Sequence, residues 1–384
     1  IKLKNAKKAL MQKYPHLNII DLGIGEPDIG GDSRVVEKLF IEAQKPHNRF
    51  YADNGIEEFK VTAHKFLREY YNIDNLDPNT EIIHGIGTKS ILSFLPHCFI
   101  NKGDYTLLTV PGYPIIGTHT KYLGGNTHEL KLWEKNNFYP NLEDIPSNIL
   151  SDSKILYINY PNNPTGQIGS LKFYESVVAF AKKNNLIVVS DAAYGPLVFG
   201  DNKPISFLKV PGAKEVGVEI HSLSKAFNMT GWRLAFMAGN QDIISAYSKI
   251  KAQSDSGQFM AIQQAGIEAL SNIDIIEDNC LRYERRHKLL LNALRSVGFD
   301  IILPKGTFYL YAPIPKGTSK GVIFKNAEET ATYLLENAFV STVPWDDAGS
   351  FLRFSVTFEA NNIAEETAII EEVKKRLLKL NLVF

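Results

Sequence analysis

The chain has 384 residues, 44 % of them hydrophobic, and its 42 Lys+Arg balance 42 Asp+Glu. That length suits two to three domains at roughly 150 residues each and buries a core without metal or disulfide, and the composition is that of a globular rather than a disordered chain. Zero formal net charge argues against a protein whose main work is neutralising nucleic-acid phosphates, the two distant cysteines (Cys98, Cys280) form no disulfide framework or CxxC pair, and no stretch approaches the roughly 20 apolar residues that span a bilayer.

From the N-terminus, Ile1–Leu17 mixes five Lys with apolar residues and lacks an apolar core of signal-peptide length. A reducing, cytoplasmic setting is therefore expected, with neither nucleic acid nor membrane as partner. Ile19–Gly25 reads as a strand entering a loop. Apolar runs of strand length then alternate with segments of helical period, the rhythm of a mainly parallel sheet covered on both faces. Strands are predicted at Glu81–Ile86, Tyr105–Val110, Thr127–Leu132, Lys154–Asn159, Leu186–Ser190 and Val216–Ser222. Helices are predicted at Thr88–Phe99, Tyr113–Leu123 and Leu171–Asn184. After about residue 240 the rhythm changes to helical tracts at Asp242–Leu270 and Ile273–Val297. Strand, helix, strand and helix follow at Phe308–Ala312, Ala327–Asn337, Phe351–Thr357 and Ile363–Leu380. The expected α/β architecture is a large domain over residues 41–275. A smaller α+β domain is assembled from both chain ends, residues 1–40 and 276–384.

Two glycine-rich turns resemble nucleotide motifs and fail them. Gly23-Ile-Gly25 runs into Glu26-Pro27-Asp28, where a dinucleotide fingerprint needs further glycine and an opening helix. Gly85-Ile-Gly87-Thr88-Lys89-Ser90 has the wrong spacing for a P-loop, although a strand, a glycine turn and a helix start still make an anion cradle. The nine histidines show no metal-binding spacing, and no metal is expected.

Chemistry concentrates in four other segments, three of them at the C-terminal ends of predicted strands, where open α/β sheets place their ligands. Ile158-Asn159-Tyr160-Pro161-Asn162-Asn163-Pro164-Thr165-Gly166 is a rigid polar turn. Val188-Val189-Ser190-Asp191-Ala192-Ala193-Tyr194 ends an apolar strand on a carboxylate that wants a cationic partner if buried. In His221-Ser222-Leu223-Ser224-Lys225-Ala226-Phe227, a lysine sits in apolar surroundings, with Arg233 eight residues on. Desolvation lowers a lysine's pKa and suits it to Schiff-base chemistry. Arg353, between apolar residues on a strand, offers a fork for a carboxylate. One ligand suits them together: pyridoxal phosphate, which needs a lysine and an acid for its pyridine nitrogen.

In order and spacing, the asparagine-proline-threonine-glycine turn, the Asp-x-x-Tyr strand end and Ser-x-Ser-Lys with its following Arg resemble the aspartate aminotransferase superfamily. The Gly25-Glu26-Pro27-Asp28 turn, Tyr51 and Arg353 match as well. The resemblance covers essentially the whole chain and implies that fold, with a seven-stranded sheet in the large domain. It implies that Lys225 forms the internal aldimine and shuttles the substrate proton, that Asp191 pairs with the pyridine nitrogen, and that Tyr194 and Asn163 hold the phenolic oxygen. Tyr113 would stack on the ring. Thr88, Lys89, Ser222, Ser224 and Arg233 would hold the phosphate, with Gly87 allowing close backbone approach. Tyr51 would be contributed in trans within a homodimer, and Arg353, Asn163 and backbone near Gly25 would bind the substrate carboxylate.

Longer stretches are similar to one branch, the LL-diaminopimelate aminotransferases of lysine biosynthesis. They are Tyr51-Ala-Asp53-Asn54-Gly55, Thr109-Val-Pro-Gly-Tyr-Pro, Gly117-Thr-His119-Thr-Lys121-Tyr-Leu-Gly-Gly125, Pro211 through Lys225, and Asp255-Ser-Gly257-Gln258-Phe259. That likeness implies exchange of an amino group between LL-diaminopimelate and 2-oxoglutarate by a ping-pong mechanism. The loop Gly25-Glu26-Pro27-Asp28 departs from the Gly-Asp-Thr-Thr of many members, which puts recognition of the distal substrate group in question; Glu26 and Asp53 are the candidate acceptors. An aminotransferase for aspartate, alanine, aromatic or other amino acids remains open on the residues alone, as does a pyridoxal-phosphate lyase cleaving at Cβ.

Overall fold

The short β-branched segments form seven strands of one sheet: β1 Ile82–Gly85, β2 Tyr105–Val110, β3 Asn126–Lys131, β4 Ser153–Asn159, β5 Ile187–Ala192, β6 Gly217–Ser222 and β7 Ala235–Gly239. The structure, a computed structural model, describes residues 2–14, 16 and 18–384; Pro15 and Leu17, at the end of the lysine-rich N-terminal stretch, lie outside the described residues. The spatial order is β1-β7-β6-β5-β4-β2-β3. Only β7 runs against the others, pairing antiparallel with both β1 and β6. Successive side chains of β4 point to opposite faces, so Leu156 and Ile158 enter one apolar layer while Ile155 and Tyr157 enter the other. Helices Gly87–Phe99 and Gln241–Ala252 cover the second layer, and Glu57–Tyr71, Leu171–Asn184 and Met260–Ser271 cover the first.

The two chain ends meet beside this sheet. Ile20–Asp21 pairs in parallel with Val340–Ser341, and Ser355 N–H donates to the Leu22 carbonyl at 2.6 Å. Tyr309–Pro313, Phe351–Ser355 and Val343–Trp345 make a three-stranded antiparallel sheet. The helix Asp274–Val297 packs against the closing helix Ile363–Leu378, and the helix Ser33–Ala43 packs on Met260–Ser271. Among the described residues no helix is long and apolar enough to cross a membrane.

The strand entering a loop expected over Ile19–Gly25 is present, with the strand at Ile20–Asp21 and the Asp21 carboxylate accepting from the Gly23 N–H at 3.0 Å as the chain turns into the loop. One expectation is corrected. The helix predicted over Asp242–Leu270 breaks into Gln241–Ala252 and Met260–Ser271. Between them Asp255 accepts from the Gly257 N–H and from Lys251, while Ser256 and Gly257 take positive φ. That turn brings Gly257 into a bridge with Ala52, and a Cβ on Gly257 would overlap the Ala52 backbone.

Candidate active site

The C-terminal ends of β1, β2, β4, β5 and β6 share one edge of the sheet. Because β7 is antiparallel, the residue leading into it, Arg233, falls on that edge too. Each strand hands a polar residue to the same place. After β1, Gly87 adopts φ +71 and starts a helix; a Cβ there would overlap the Arg233 guanidinium, so the glycine lets that cation lie against the helix start with Thr88 and Lys89. After β4, Asn162 is consumed in holding the turn: its Oδ1 accepts from Thr165 N–H at 3.1 Å and Thr165 Oγ1 at 2.7 Å. That frees the next residue, Asn163, to face inward. After β6, Ser222 caps a single helical turn by accepting from the Ser224 N–H at 3.1 Å, and Lys225 sits on that turn.

These groups close on a cavity of about 250 Å³. Of the predicted residues it is lined by Gly25, Thr88, Lys89, Tyr113, Asn163, Asp191, Tyr194, Ser222, Ser224, Lys225, Arg233 and Arg353. Asn159, Ala193, Thr230 and Tyr309 complete the lining and were not predicted. Tyr51 is not among the lining residues; it lies 85 % exposed on the surface. Gly87 acts behind the wall, through Arg233. Of the two candidates for the distal group, Glu26 has a carboxylate close enough to act electrostatically on Lys225, whereas Asp53 is exposed and does not line the cavity.

Lys225 Nζ donates to the Gly25 carbonyl at 2.7 Å. Burial pushes its ammonium down to about 8; Glu26 opposes that shift, and the Arg233 and Arg353 charges add to it. Across the cavity Asp191 is buried, which pushes its carboxyl up to about 6, while hydrogen bonds from Tyr157 (2.9 Å) and the Ala193 N–H (3.1 Å) pull the other way. Tyr194 shares a 2.9 Å hydroxyl–hydroxyl bond with Tyr309. On the far side Arg353 donates to Asn163 Oδ1 at 2.9 Å and to the Gly23 carbonyl at 3.0 Å, with its guanidinium 4.0 Å from the centre of the Tyr309 ring. Among the described residues its Nε has no hydrogen-bond partner. A Cβ at Gly25 would come within 2.9 Å of the Tyr309 hydroxyl, so the glycine lets the loop approach that ring.

The cavity lining thus combines cationic groups at a helix start, a buried carboxylate, a desolvated amine and a second guanidinium. Such a lining offers partners for a phosphate, a protonated ring nitrogen, a carbonyl and a carboxylate. Residues 18–368 match the family described as aminotransferase class I and II. The LL-diaminopimelate aminotransferase of Methanococcus maripaludis is 50 % identical over 388 residues, covering 100 % of this chain and 93 % of that protein. The LL-diaminopimelate aminotransferase of Methanocaldococcus jannaschii is 49 % identical over 391 residues, with the same 100 % and 93 % coverage. The substrate-bound structure of BacF from Bacillus subtilis superposes with a TM-score of 0.91 at 33 % identity, covering 100 % of this chain and 95 % of that one. The chain belongs to the class I and II aminotransferases, pyridoxal-phosphate enzymes that pass an amino group from an amino acid to a 2-oxo acid.

Proposed function

We propose that this enzyme is an LL-diaminopimelate:2-oxoglutarate aminotransferase of lysine biosynthesis, acting in the cytoplasm as a homodimer. The observation that carries the catalytic reading is Lys225: one amine, its pKa lowered by burial to about 8, lining the same cavity as the buried Asp191 and as Arg353. Identity of about half the residues to two LL-diaminopimelate aminotransferases supports the substrate. Two unpaired cysteines suit a reducing compartment.

The residues fit pyridoxal phosphate. Thr88, Lys89, Ser222, Ser224 and Arg233 offer donors and positive charge to a phosphate at the helix start. Asp191 keeps acceptor capacity for a ring N–H, since each of its oxygens receives a single donor. Bound there, the cofactor supplies a carbonyl that exchanges for the substrate amine and a ring that accepts the electrons left at Cα.

The protein does the rest. With the cofactor bound, Lys225 Nζ would accept the Cα proton of the substrate and deliver it to the carbon that had been the cofactor's carbonyl carbon, so that the amino group stays with the cofactor. Asp191 would hold a proton on the ring nitrogen of the bound cofactor by charge pairing. The Tyr194 hydroxyl, oriented by Tyr309, and Asn163 would hold the phenolic oxygen of the bound ring, and Tyr113 would pack against it. Arg353 binds the α-carboxylate common to every amino- and oxo-acid partner, with Asn163 and the loop at Gly25 beside it. The oxo product leaves before the second oxo acid enters, giving ping-pong kinetics. Tyr51, exposed next to the exposed Phe50 in the chain, would complete the phosphate site of a second copy.

The test is an absorption spectrum of the cofactor-loaded protein, titrated separately with LL-diaminopimelate, glutamate and aspartate. Loss of the visible band with the first two but not with aspartate is expected. Bleaching by other amino acids but not by LL-diaminopimelate would discard the substrate, and no band after adding pyridoxal phosphate would discard the site. Lys225→Ala should abolish turnover and hold cofactor only weakly.

A further inference from the structure

Tyr157 is buried in β4, two residues before Asn159, on the face of the sheet lined by Ile83, Ile155, Val189 and Ile220. Phenylalanine would fill this hydrocarbon layer equally well. A hydroxyl in such a place costs free energy unless it has a partner, and this one donates to Asp191 Oδ2 at 2.9 Å. The other oxygen, Oδ1, is fixed by the Ala193 N–H. The carboxylate is therefore held at both oxygens from beneath and beside, with its remaining lone pairs available to the cavity.

We propose that Tyr157 is a positioning residue, which fixes the orientation of Asp191 and keeps its carboxylate ionised so that it can pair with the ring nitrogen of bound pyridoxal phosphate. The proposal rests on the role given to Asp191 above. A hydrogen bond to the charged form of an acid favours that form, and burial opposes it. The other groups facing Asp191 do not replace the tyrosine. His221 and Glu219 on β6 act on it with opposite signs, and Glu219 spends its oxygens on Ser190, Ser206 and the Phe207 N–H rather than on Asp191. Tyr113 and Tyr194 sense the Asp191 charge, but neither is hydrogen-bonded to it: Tyr194 spends its hydroxyl on Tyr309. Without the Tyr157 hydroxyl, the Asp191 carboxyl moves further up from about 6, into the range where the enzyme must hold its cofactor.

The experiment measures the dissociation constant of pyridoxal phosphate from the apoenzyme between pH 5.5 and 9, for wild type, Tyr157→Phe and Asp191→Asn. Thermal melts at pH 8 accompany each. Titration of the cofactor itself is common to all three, so differences between the curves report on the protein. Tyr157→Phe should shift the acid-side loss of affinity upward by about one pH unit, giving about tenfold weaker binding on that limb and little change at pH 8–9. Asp191→Asn should bind weakly throughout and lack the contribution that distinguishes the other two curves. Coincident curves for Tyr157→Phe and wild type, with Asp191→Asn altered, would overturn the role of Tyr157 and leave that of Asp191 intact. A uniform loss at every pH with a lowered melting temperature would also overturn it, as packing alone. An Asp191→Asn curve equal to wild type would overturn the Asp191 assignment and this inference with it.

Discussion

Arg353→Lys is expected to weaken every carboxylate substrate by a similar factor. A guanidinium presents two parallel N–H groups to a carboxylate, and an ammonium cannot copy that fork. One charge-assisted hydrogen bond is worth about 1.5–3 kcal/mol. The lower end applies here, because in the substrate-free structure the two terminal nitrogens already donate to Asn163 Oδ1 and the Gly23 carbonyl. Substrate must therefore share or displace bonds that exist. The planar group also lies 4.0 Å from the Tyr309 ring centre, and loss of that contact adds about 0.5 kcal/mol. The total, about 2 kcal/mol, is roughly 30-fold in KM at 1.4 kcal/mol per decade. Because the carboxylate is held alike before and during reaction, kcat should change far less than KM. Single-turnover absorbance changes with the amino donor, and separately with the oxo acid, measure each half-reaction. Both should weaken, while cofactor affinity stays near wild type because Arg353 is engaged by Asn163 and the Gly23 carbonyl and is not among the groups assigned to the phosphate. A KM within threefold of wild type for both partners, or a change confined to one, would refute the assignment of Arg353 as the shared carboxylate site.

Three further outcomes follow from the same geometry. Gly87→Ala places a methyl against the Arg233 guanidinium at a backbone φ of +71; it should cost about 1–2 kcal/mol in urea unfolding and weaken pyridoxal phosphate binding more than tenfold, as read by equilibrium titration. The Asp191 carboxyl, raised from 3.8 to about 6 in the fold, binds more protons folded than unfolded between those values. Apoenzyme stability from this group therefore falls as pH rises from about 4 to 6 and is flat above, so the stability of Asp191→Asn relative to wild type should climb by up to about 3 kcal/mol across that window in denaturant melts. Arg286 is fully buried and donates to Asp28, Glu366 and the carbonyls of Val356 and Phe358. Arg286→Ala should destabilise the protein by about 3–5 kcal/mol, since two carboxylates lose a buried partner, and its unfolding midpoint in urea should drop accordingly.

Which parts of this site a sequence reveals depends on how far the determining contacts reach along the chain. Asn162 closes its turn on Thr165, and Ser222 caps the turn that carries Lys225. Those interactions span two or three residues, so their residue types sit together and are legible. The strand Tyr105–Val110 and the helix Leu171–Asn184 were legible for the same reason, each with a short apolar pattern and clear ends. The antiparallel strand Ala235–Gly239 and the helices Ser33–Ala43 and Glu57–Tyr71 were not delineated, although the apolar spacing of Phe59, Ala63, Phe66 and Leu67 carries a helical signal.

Tyr309 had no local mark at all. It meets Tyr194 across 115 positions and enters the cavity only because the strand bearing it pairs with the strand of Arg353. Tyr157 is a sharper case, since in Lys154-Ile-Leu-Tyr-Ile-Asn159 it reads as one more apolar strand residue. Its meaning comes from the parallel register that sets Asn159 opposite Asp191 and brings β5 alongside β4. The groups that perform chemistry announce themselves through local turns and caps. The groups that hold them in the right protonation state and orientation are contributed by neighbouring strands, and only the packed sheet brings them together.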